Sequence, residues 1–312
     1  MKTPAYHQHE EFQNRGQKLQ ELRLAGVDPY PAKYAPDHTT MQLRNKAEQS
    51  PPGNSESAEK GETLLASIAG RLMLYRSMGK NSFAQVQDAT GQIQVMFNRD
   101  LTVWKDCGDL DARAMEKKLD LGDLVGLKGH LFLTHKGELT LFVKEAVLLN
   151  KTLLPLADKH AGLVDKELRY RKRWLDLIAH PDVAERFRIR SRILREIRRF
   201  LDGKEFLEVE TPVLQSLYGG AEARPFATHL HALDQQMFLR ISLELPLKKL
   251  LIGGMERVYE MGKVFRNEGI DRNHNPEFTL LEAYAAYWDY FDAMDCVEKL
   301  FEHLALALFG TT

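Results

Sequence analysis

Cysteine is nearly absent. Cys107 and Cys296 are the only two in 312 residues, they lie far apart, and neither belongs to a C-x-x-C pair. That scarcity supports neither a disulfide framework nor a cysteine zinc site, and it fits a reducing cytosol, so a cytoplasmic location is expected. Long apolar runs are absent too. No stretch of about 18 apolar residues occurs, and the N-terminal MKTPAYHQHEEF lacks the apolar core of a signal peptide, so neither membrane insertion nor secretion is expected. Net charge is also missing, at −1, which argues against a globally basic nucleic-acid coat and leaves partners to be read from local patches. Finally there is no Walker A sequence, GxGxxG fingerprint or kinase signature, so the usual strand-to-helix phosphate cradles are excluded.

What is present divides the chain, and 312 residues are enough for two domains. Residues 10–26, EEFQNRGQKLQELRLAG, place Leu19, Leu22 and Leu24 among charges before Gly26, the pattern of a short appended helix. Residues 49–63, QSPPGNSESAEKGET, combine Pro, Gly, Ser and charge with nothing apolar to bury, which predicts a mobile insertion or linker. From Leu65 the pattern changes to short apolar runs punctuated by ATG (89–91), LGD (121–123) and HKGE (135–138). Five strands follow from it, at about 65–76, 82–88, 92–98, 124–133 and 138–149, with a charged helix at about 109–118 between the third and fourth. That order suits a small five-stranded barrel of the oligonucleotide-binding type.

Residues 166–204 hold 13 Lys and Arg against 6 Asp and Glu. Ile189, Ile193, Ile197 and Leu201 recur every four residues, so ERFRIRSRILREIRRFLD predicts a helix that buries one stripe and exposes a ring of arginines. Such a ring is either a solvated face or a phosphate contact. FLEVETPVL reads as a strand ending near Pro212, and residues 243–252 as an apolar helix stopped by Gly253 and Gly254. RVYEMGKVFRNE and PEFTLLEAY read as two strands joined by GIDRNHN, and residues 290–309 as a closing helix. This is the order of an α+β domain with an antiparallel sheet.

Side chains on a strand alternate faces, so Gly262, Val264, Arg266 and Glu268 fall together, as do Phe278, Leu280, Glu282 and Tyr284. Pairing the two strands brings a guanidinium, two carboxylates, an aromatic plane and a phenol to one surface, with His274 and Asn275 in the connecting loop. Opposite charges across strands are often pairing devices only. A solvated face has no use for Phe278 and Tyr284, however, whereas a nucleotide site needs an arginine for phosphate oxygens and an aromatic for the base. His229 and His231 alternate as two histidines on one strand face do. No third ligand lies near them in sequence, so surface or structural roles are favoured and zinc is not expected.

FLEVETPVL, the GGAEARPF segment, FLRISLELPLKKLLIGG and RVYEMGKVFRNEGIDRNHNPEFTLLEAY together resemble motif 1, the substrate loop and motif 2 of class II aminoacyl-tRNA synthetases, the lysyl-tRNA synthetases in particular. GRLMLYRSMGKNSFAQVQD and GQIQVMF resemble the anticodon-binding barrel of the same enzymes. The resemblance covers roughly residues 65–312. With residues 1–64 read above as an N-terminal helical extension and flexible segment, it implies an OB-fold anticodon-binding domain over 65–151, a linker over 152–180, and the first part of an antiparallel-sheet catalytic domain over 181–312. The activity it implies is ATP-dependent ligation of L-lysine to tRNA(Lys) through a lysyl-adenylate, by a homodimer joined through the motif 1 helix and strand, about 185–213.

The same resemblance assigns roles at matching positions. Arg266 is the catalytic group, holding the ATP α-phosphate and the lysine carboxylate, while Glu268 accepts from the adenine amino group, Phe278 stacks on the ring and His274 reaches toward the outer phosphates. Glu244 binds the lysine α-ammonium, Gly220 and Ala221 lie in the loop that closes beside it, and Glu282 and Tyr284 form part of the ε-ammonium pocket. In the barrel, Phe83 stacks on an anticodon base while Gln94 and Glu138 contact base edges. Lys80 and the arginine-rich helix are expected along the tRNA backbone. Motif 3 and most ligands of the Mg2+ that accompanies ATP would follow Thr312, so the chain is expected to be the N-terminal portion of such an enzyme. Two other readings stay open. One is a non-catalytic tRNA-binding or dimerisation module. The other is an aspartyl or asparaginyl enzyme, against which Glu282 argues because it would repel aspartate.

Overall fold

Residues 5–156 and 163–311 are described by a computed structural model, and their contacts divide the chain into two units, Met1–Ala179 and His180–Thr312. In the first, helix α1 (Glu10–Leu24) starts with Glu10 and Glu11 and ends with Arg23, charges that complement the helix dipole at each end. It buries Leu19 and Leu22 and is stopped at Gly26, as the sequence predicts. Arg15, 5% exposed, gives one guanidinium nitrogen to the carbonyls of Leu121, Thr152 and Leu154 and so ties α1 to the far end of the unit.

Helix α2 (Thr40–Gln49) opens with a capping box, in which the Thr39 hydroxyl accepts from Gln42 N–H and the Gln42 side chain accepts from Thr39 N–H. Residues 49–63 correct the expectation of a mobile insertion. They contain helix α3 (Ser55–Lys60), capped by Asn54 and ended by Gly61 at φ +81°. Ala58, too small to register in the composition, is fully buried against Met96, Phe132 and Phe142. A single methyl docked on aromatic rings anchors a segment that has no core of its own.

The barrel strands are β1 (Leu65–Met78), β2 (Asn81–Gln87), β3 (Gln92–Asn98), a two-residue β4 (Val103–Trp104), β5 (Leu124–Leu133) and β6 (Leu139–Asn150), with helix α4 (Ala112–Lys118) after β4. Their order is β3-β2-β1-β5-β6-β4, and parallel pairing of β3 with β6 closes five of them into a barrel. The long β1 pairs antiparallel with both β2 and β5, bent by an irregularity between Leu72 and Leu74. Alternation delivers Ile68, Leu72, Val86, Ile93, Val95, Leu127 and Leu141 to one closed interior. Lys151 leaves the barrel fully buried between Asp120 and Asp123, at 2.6 and 2.9 Å. Helices α5 (Lys166–Arg171) and α6 (Arg173–Ala179) complete the unit.

The second unit begins with helix α7 (Pro181–Asp202), its proline at the first turn where a missing N–H costs nothing. Strands β7 (Leu207–Glu208), β8 (Leu214–Gln215), β9 (Ala227–Leu230) and β10 (Gln235–Leu239) are short. Helix α8 (Glu244–Ile252), strand β11 (Arg257–Phe265), strand β12 (Glu277–Ala285) and helix α9 (Tyr290–Phe309) follow. One sheet orders β12-β11-β7 and another β8-β10-β9. FLEVETPVL thus contributes only two ladder residues at Leu207 and Glu208, and the strand predicted to reach Pro212 leaves the sheet early.

Alternation along the β11–β12 hairpin sorts its side chains to two cores. Val258, Val264, Phe278, Leu280 and Tyr284 pack with Leu243 and Leu247 of the α8 segment. Tyr259, Leu281 and Ala285 pack with Ile197, Phe200 and Leu201 of α7. The arginine ring of α7 is largely consumed within the unit: Arg186 pairs with Asp182, Arg198 with Glu208 and Arg199 with Glu196, while Arg190 reaches Thr279 and Arg192 the carbonyl of Ala307. These arginines remain at the surface, so the exposed ring predicted from the sequence is present, with most of its members partnered there.

Candidate active site and nucleic-acid interface

Register decides the site. Glu260 stands directly opposite Glu282, Gly262 opposite Leu280 and Val264 opposite Phe278, so the face predicted by alternation exists. Two carboxylates directly across strands repel each other unless each is taken by its own donors, and here each is. Glu260, 4% exposed, accepts from Arg240 Nη1 at 2.5 Å and from the Thr211 hydroxyl at 2.6 Å. Arg240, equally buried, also donates to the carbonyls of Lys263 and Thr211. Its guanidinium crosses Gly262 so closely that a Cβ there would sit 2.3 Å from Nη2, which is why that position takes glycine.

Glu282 is held differently. One carboxylate oxygen accepts from the Ser242 hydroxyl at 2.8 Å and from Leu243 N–H at 3.1 Å, at the start of α8, and the other accepts from the Tyr284 hydroxyl at 3.0 Å. Burial, together with the Glu282 carboxylate, pushes the Tyr284 phenol far above its ordinary range, so it stays a donor. The Ser242 hydroxyl also accepts from Glu244 N–H at 3.1 Å, joining the two acidic residues. Gly220, at φ +86°, lies against both: an added Cβ would come within 2.9 Å of Ser242 Oγ and Glu244 Cβ. Lys248 places its ammonium 2.7 Å from Glu244 and 5.9 Å from the Tyr284 ring, so a cation is already accommodated beside these groups.

Arg266 follows the end of β11, where its N–H still bonds the Pro276 carbonyl at 2.9 Å. Its guanidinium lies over the Phe278 ring at 5.2 Å, and its Nε approaches the Ile241 carbonyl at 3.4 Å. Glu268 departs from the alternation argument, because β11 ends at Phe265 and Glu268 lies in the exposed loop beyond. Asn267 N–H bonds the Arg224 carbonyl at 2.7 Å, which brings the GGAEARPF segment and its half-buried Ala221 to the hairpin. His274 is exposed in the loop and held by Asp271 at 2.7 Å. The N–H of Asn273, then the His274 ring and N–H, keep the Asp271 carboxyl below its usual range.

Gly220, Glu244, Arg266, Phe278, Glu282 and Tyr284 are thus gathered around the α8 start and one hairpin face, while Glu268 and His274 sit on the loop at its edge. Arg240, Ser242, Thr211 and Glu260 were missed by sequence reasoning. A signal existed for Glu260, which shares parity with Gly262 and Val264. His229 ends up in β9 while His231 opens a 3₁₀ turn; their Nδ1 atoms are 3.4 Å apart and His229 bonds Asp234 at 3.1 Å. Among the described residues no three His, Cys, Asp or Glu side chains gather as a metal-binding group.

In the first unit, Phe83, Gln94 and Glu138 line one open concavity of about 430 Å3 with Arg76, Gln85, His135 and Lys136. Phe83 alternates outward with Gln85 and Gln87 while Ser82, Ala84 and Val86 turn inward. It faces Arg76 on one neighbouring strand and Met96 on the other, half-buried at the rim of the cluster that holds Ala58. Gln94 donates to the Thr140 hydroxyl at 2.9 Å, which in turn donates to the Glu138 carbonyl at 3.2 Å. Amides and a carboxylate beside a ring and cations form a surface suited to stacking and reading unpaired bases. Lys80 is exposed and paired with Asp100 at 2.8 Å.

Comparison with known proteins finds matches in both units. Residues 66–149 match the model of the OB-fold nucleic acid binding domain, and residues 165–312 that of the class II tRNA synthetases (D, K and N). The chain is 54% identical over 303 residues to a lysine–tRNA ligase of Chlamydia felis (strain Fe/C-56), covering 96% of this chain and 58% of that protein. It is 48% identical over 297 residues to one of Carboxydothermus hydrogenoformans (strain ATCC BAA-161 / DSM 6008 / Z-2901), covering 95% of this chain and 57% of that protein. A third, from Staphylococcus haemolyticus (strain JCSC1435), is 46% identical over 303 residues, covering 97% and 60%. The chain therefore spans less than two thirds of the length of these curated relatives.

Proposed function

The chain belongs to the lysine–tRNA ligase family of class II tRNA synthetases, and from that premise we propose that it supplies the anticodon-reading barrel and the first half of the active site for ATP-dependent ligation of L-lysine to tRNA(Lys). The observation that carries the choice of lysine is the Glu282 carboxylate, fixed by Ser242, Leu243 N–H and Tyr284 beside Glu244. A long cationic side chain is selected by a carboxylate at the end of its pocket, and aspartate is repelled by the same group.

In the reaction, the lysine carboxylate attacks the α-phosphorus of ATP, releasing pyrophosphate and forming lysyl-adenylate, and the terminal hydroxyl of the tRNA then attacks the lysyl carbonyl, forming the ester and releasing AMP. Arg266 offsets the negative charge that grows on the α-phosphate and carboxylate oxygens. Phe278 offers its ring to adenine, Glu268 its carboxylate to the adenine amino group, and His274 its imidazole to the outer phosphates. Glu244 receives the α-ammonium under the Gly220–Ala221 loop, while Glu282 and Tyr284 receive the ε-ammonium. No protein nucleophile is needed, since positioning and charge stabilisation supply the rate. Mg2+ bound with ATP would supply charge neutralisation at the phosphates, and among the described residues no three metal-ligating side chains gather to hold it.

The wider setting proposed is a cytoplasmic homodimer that presents the Phe83, Gln94 and Glu138 concavity to the anticodon. No described helix is long and apolar enough to cross a membrane. Lysine-dependent exchange of pyrophosphate into ATP tests the reading. Exchange with lysine and not with aspartate or asparagine is expected of the family's full-length protein carrying this chain. Absence of exchange while tRNA is still bound would instead favour a non-catalytic tRNA-binding module.

A further inference from the structure

The network around Glu282 contains a residue to which no role has been given. Ser242 is 3% exposed, in the segment between β10 and α8, and its hydroxyl is used twice: it donates to Glu282 at 2.8 Å and accepts from Glu244 N–H at 3.1 Å. Because a hydroxyl has one proton, the acceptance from the backbone amide directs that proton to Glu282. The same oxygen of Glu282 takes the Leu243 N–H, whereas the second oxygen has one donor, the Tyr284 hydroxyl. The carboxylate is thereby pinned at one end and keeps accepting capacity at the other. Neighbouring groups leave it little freedom: Tyr284 packs in the core with Leu243 and Leu247, and the Gly220 backbone closes over Ser242.

We propose that Ser242 is a positioning residue for amino-acid selection, fixing the Glu282 carboxylate in the one orientation that accepts a terminal ammonium. The inference rests on the assignment of Glu282 to the lysine side chain and adds to it the group that aims that carboxylate. Its contact with Glu244 N–H means that Ser242 also shapes the α8 start, so the test must separate the two uses.

L-lysine and L-norleucine serve that purpose. Norleucine has the same α-ammonium, carboxylate and carbon chain without the terminal ammonium, so it senses the Glu244 side of the network but not the Glu282 charge. Calorimetric affinities of both are compared on the family's full-length protein carrying this chain, for the wild type, Ser242→Ala and Ser242→Thr, with thermal unfolding as a check on the fold. The wild type is expected to prefer lysine. Ser242→Ala is expected to lose roughly tenfold in lysine affinity while norleucine changes by less than about threefold, the scale of one hydrogen bond to a charged group. Ser242→Thr, which keeps the hydroxyl, should restore most of the preference. An unchanged lysine-to-norleucine ratio in folded Ser242→Ala would overturn the role of Ser242 and leave the pocket assignment standing. A wild type with no preference for lysine would overturn the assignment itself, and the inference with it.

Discussion

At the scale of single residues, Phe83 and Glu282 show how much one side chain can carry. Phe83 stands half-buried among amides and cations on the outer barrel face, so its ring is available for stacking while its edge is held by the Ala58 cluster. Phe83→Ala is expected to weaken binding of an anticodon stem-loop by about 1–3 kcal/mol, measured by fluorescence titration, with the thermal midpoint of the barrel little changed. Glu282→Gln keeps the shape and one acceptor oxygen but removes the charge and turns the other oxygen into an amide donor, and roughly a hundredfold loss of lysine-dependent exchange is expected, seen as a higher KM for lysine more than for ATP. Phe83 and Glu282 were both legible in the sequence, because alternation on a strand is local. Ser242 and Arg240 were not, since their partners lie 40 and 20 residues away and only the register reveals them.

Elements are stabilised by contacts that composition hides. The Arg240–Glu260 pair ties β11 to the residue just after β10 and to Thr211, with both members buried. Removing one partner strands the other charge, so Glu260→Gln is expected to cost about 3–5 kcal/mol in urea unfolding of the second unit. The β2–β3 turn depends on Asp88. Burial alone would raise its carboxyl, but the N–H and hydroxyl groups of Thr40 and Thr90 outweigh that and hold it below the ordinary range. A depressed folded pKa gives stability that is present above the unfolded value, about 3.9, and is lost as pH falls through the folded one. Unfolding free energy should therefore drop between pH 5 and pH 2, as flagged by urea titration at pH steps of roughly one unit, and Asp88→Asn should flatten part of that drop. Helix α2 was missed although Thr39 and Gln42 spell its capping box, because the apolar periodicity that draws the eye is reduced to Leu43. Helix α3 was misread because Ala58 buries so little area that composition cannot report it.

For the molecule as a whole, a net charge of −1 coexists with a proposed polyanionic partner. Part of the positive charge has a partner at the surface: the exposed arginines of α7 pair along their own helix or with Glu208, or reach Thr279 and the Ala307 carbonyl. With those pairs kept on binding, few phosphate contacts form, and the slope of log affinity for tRNA against log salt should be shallow, on the order of −2 to −4 rather than the −10 of heavily basic binders. Filter binding from 50 to about 300 mM salt would measure it, and a steep slope would show that the paired arginines let go of their partners on binding. In the proposed reading, stacking and base-edge contacts in the barrel concavity are the counterpart of this modest electrostatic grip.

By itself the sequence determined the things that depend on neighbours in the chain: the five barrel strands, the long α7 and α9 helices, and the face on which Glu282, Phe278 and Tyr284 fall. Steric preferences and alternation act over a few residues, so they are written locally. Tertiary structure alone decided which donors each carboxylate meets, which partners the exposed α7 arginines find, and that a serine aims Glu282. Those outcomes depend on register and on the packing of helices against sheets, and a hydrogen bond between distant residues exists only once both have been brought within about 3 Å.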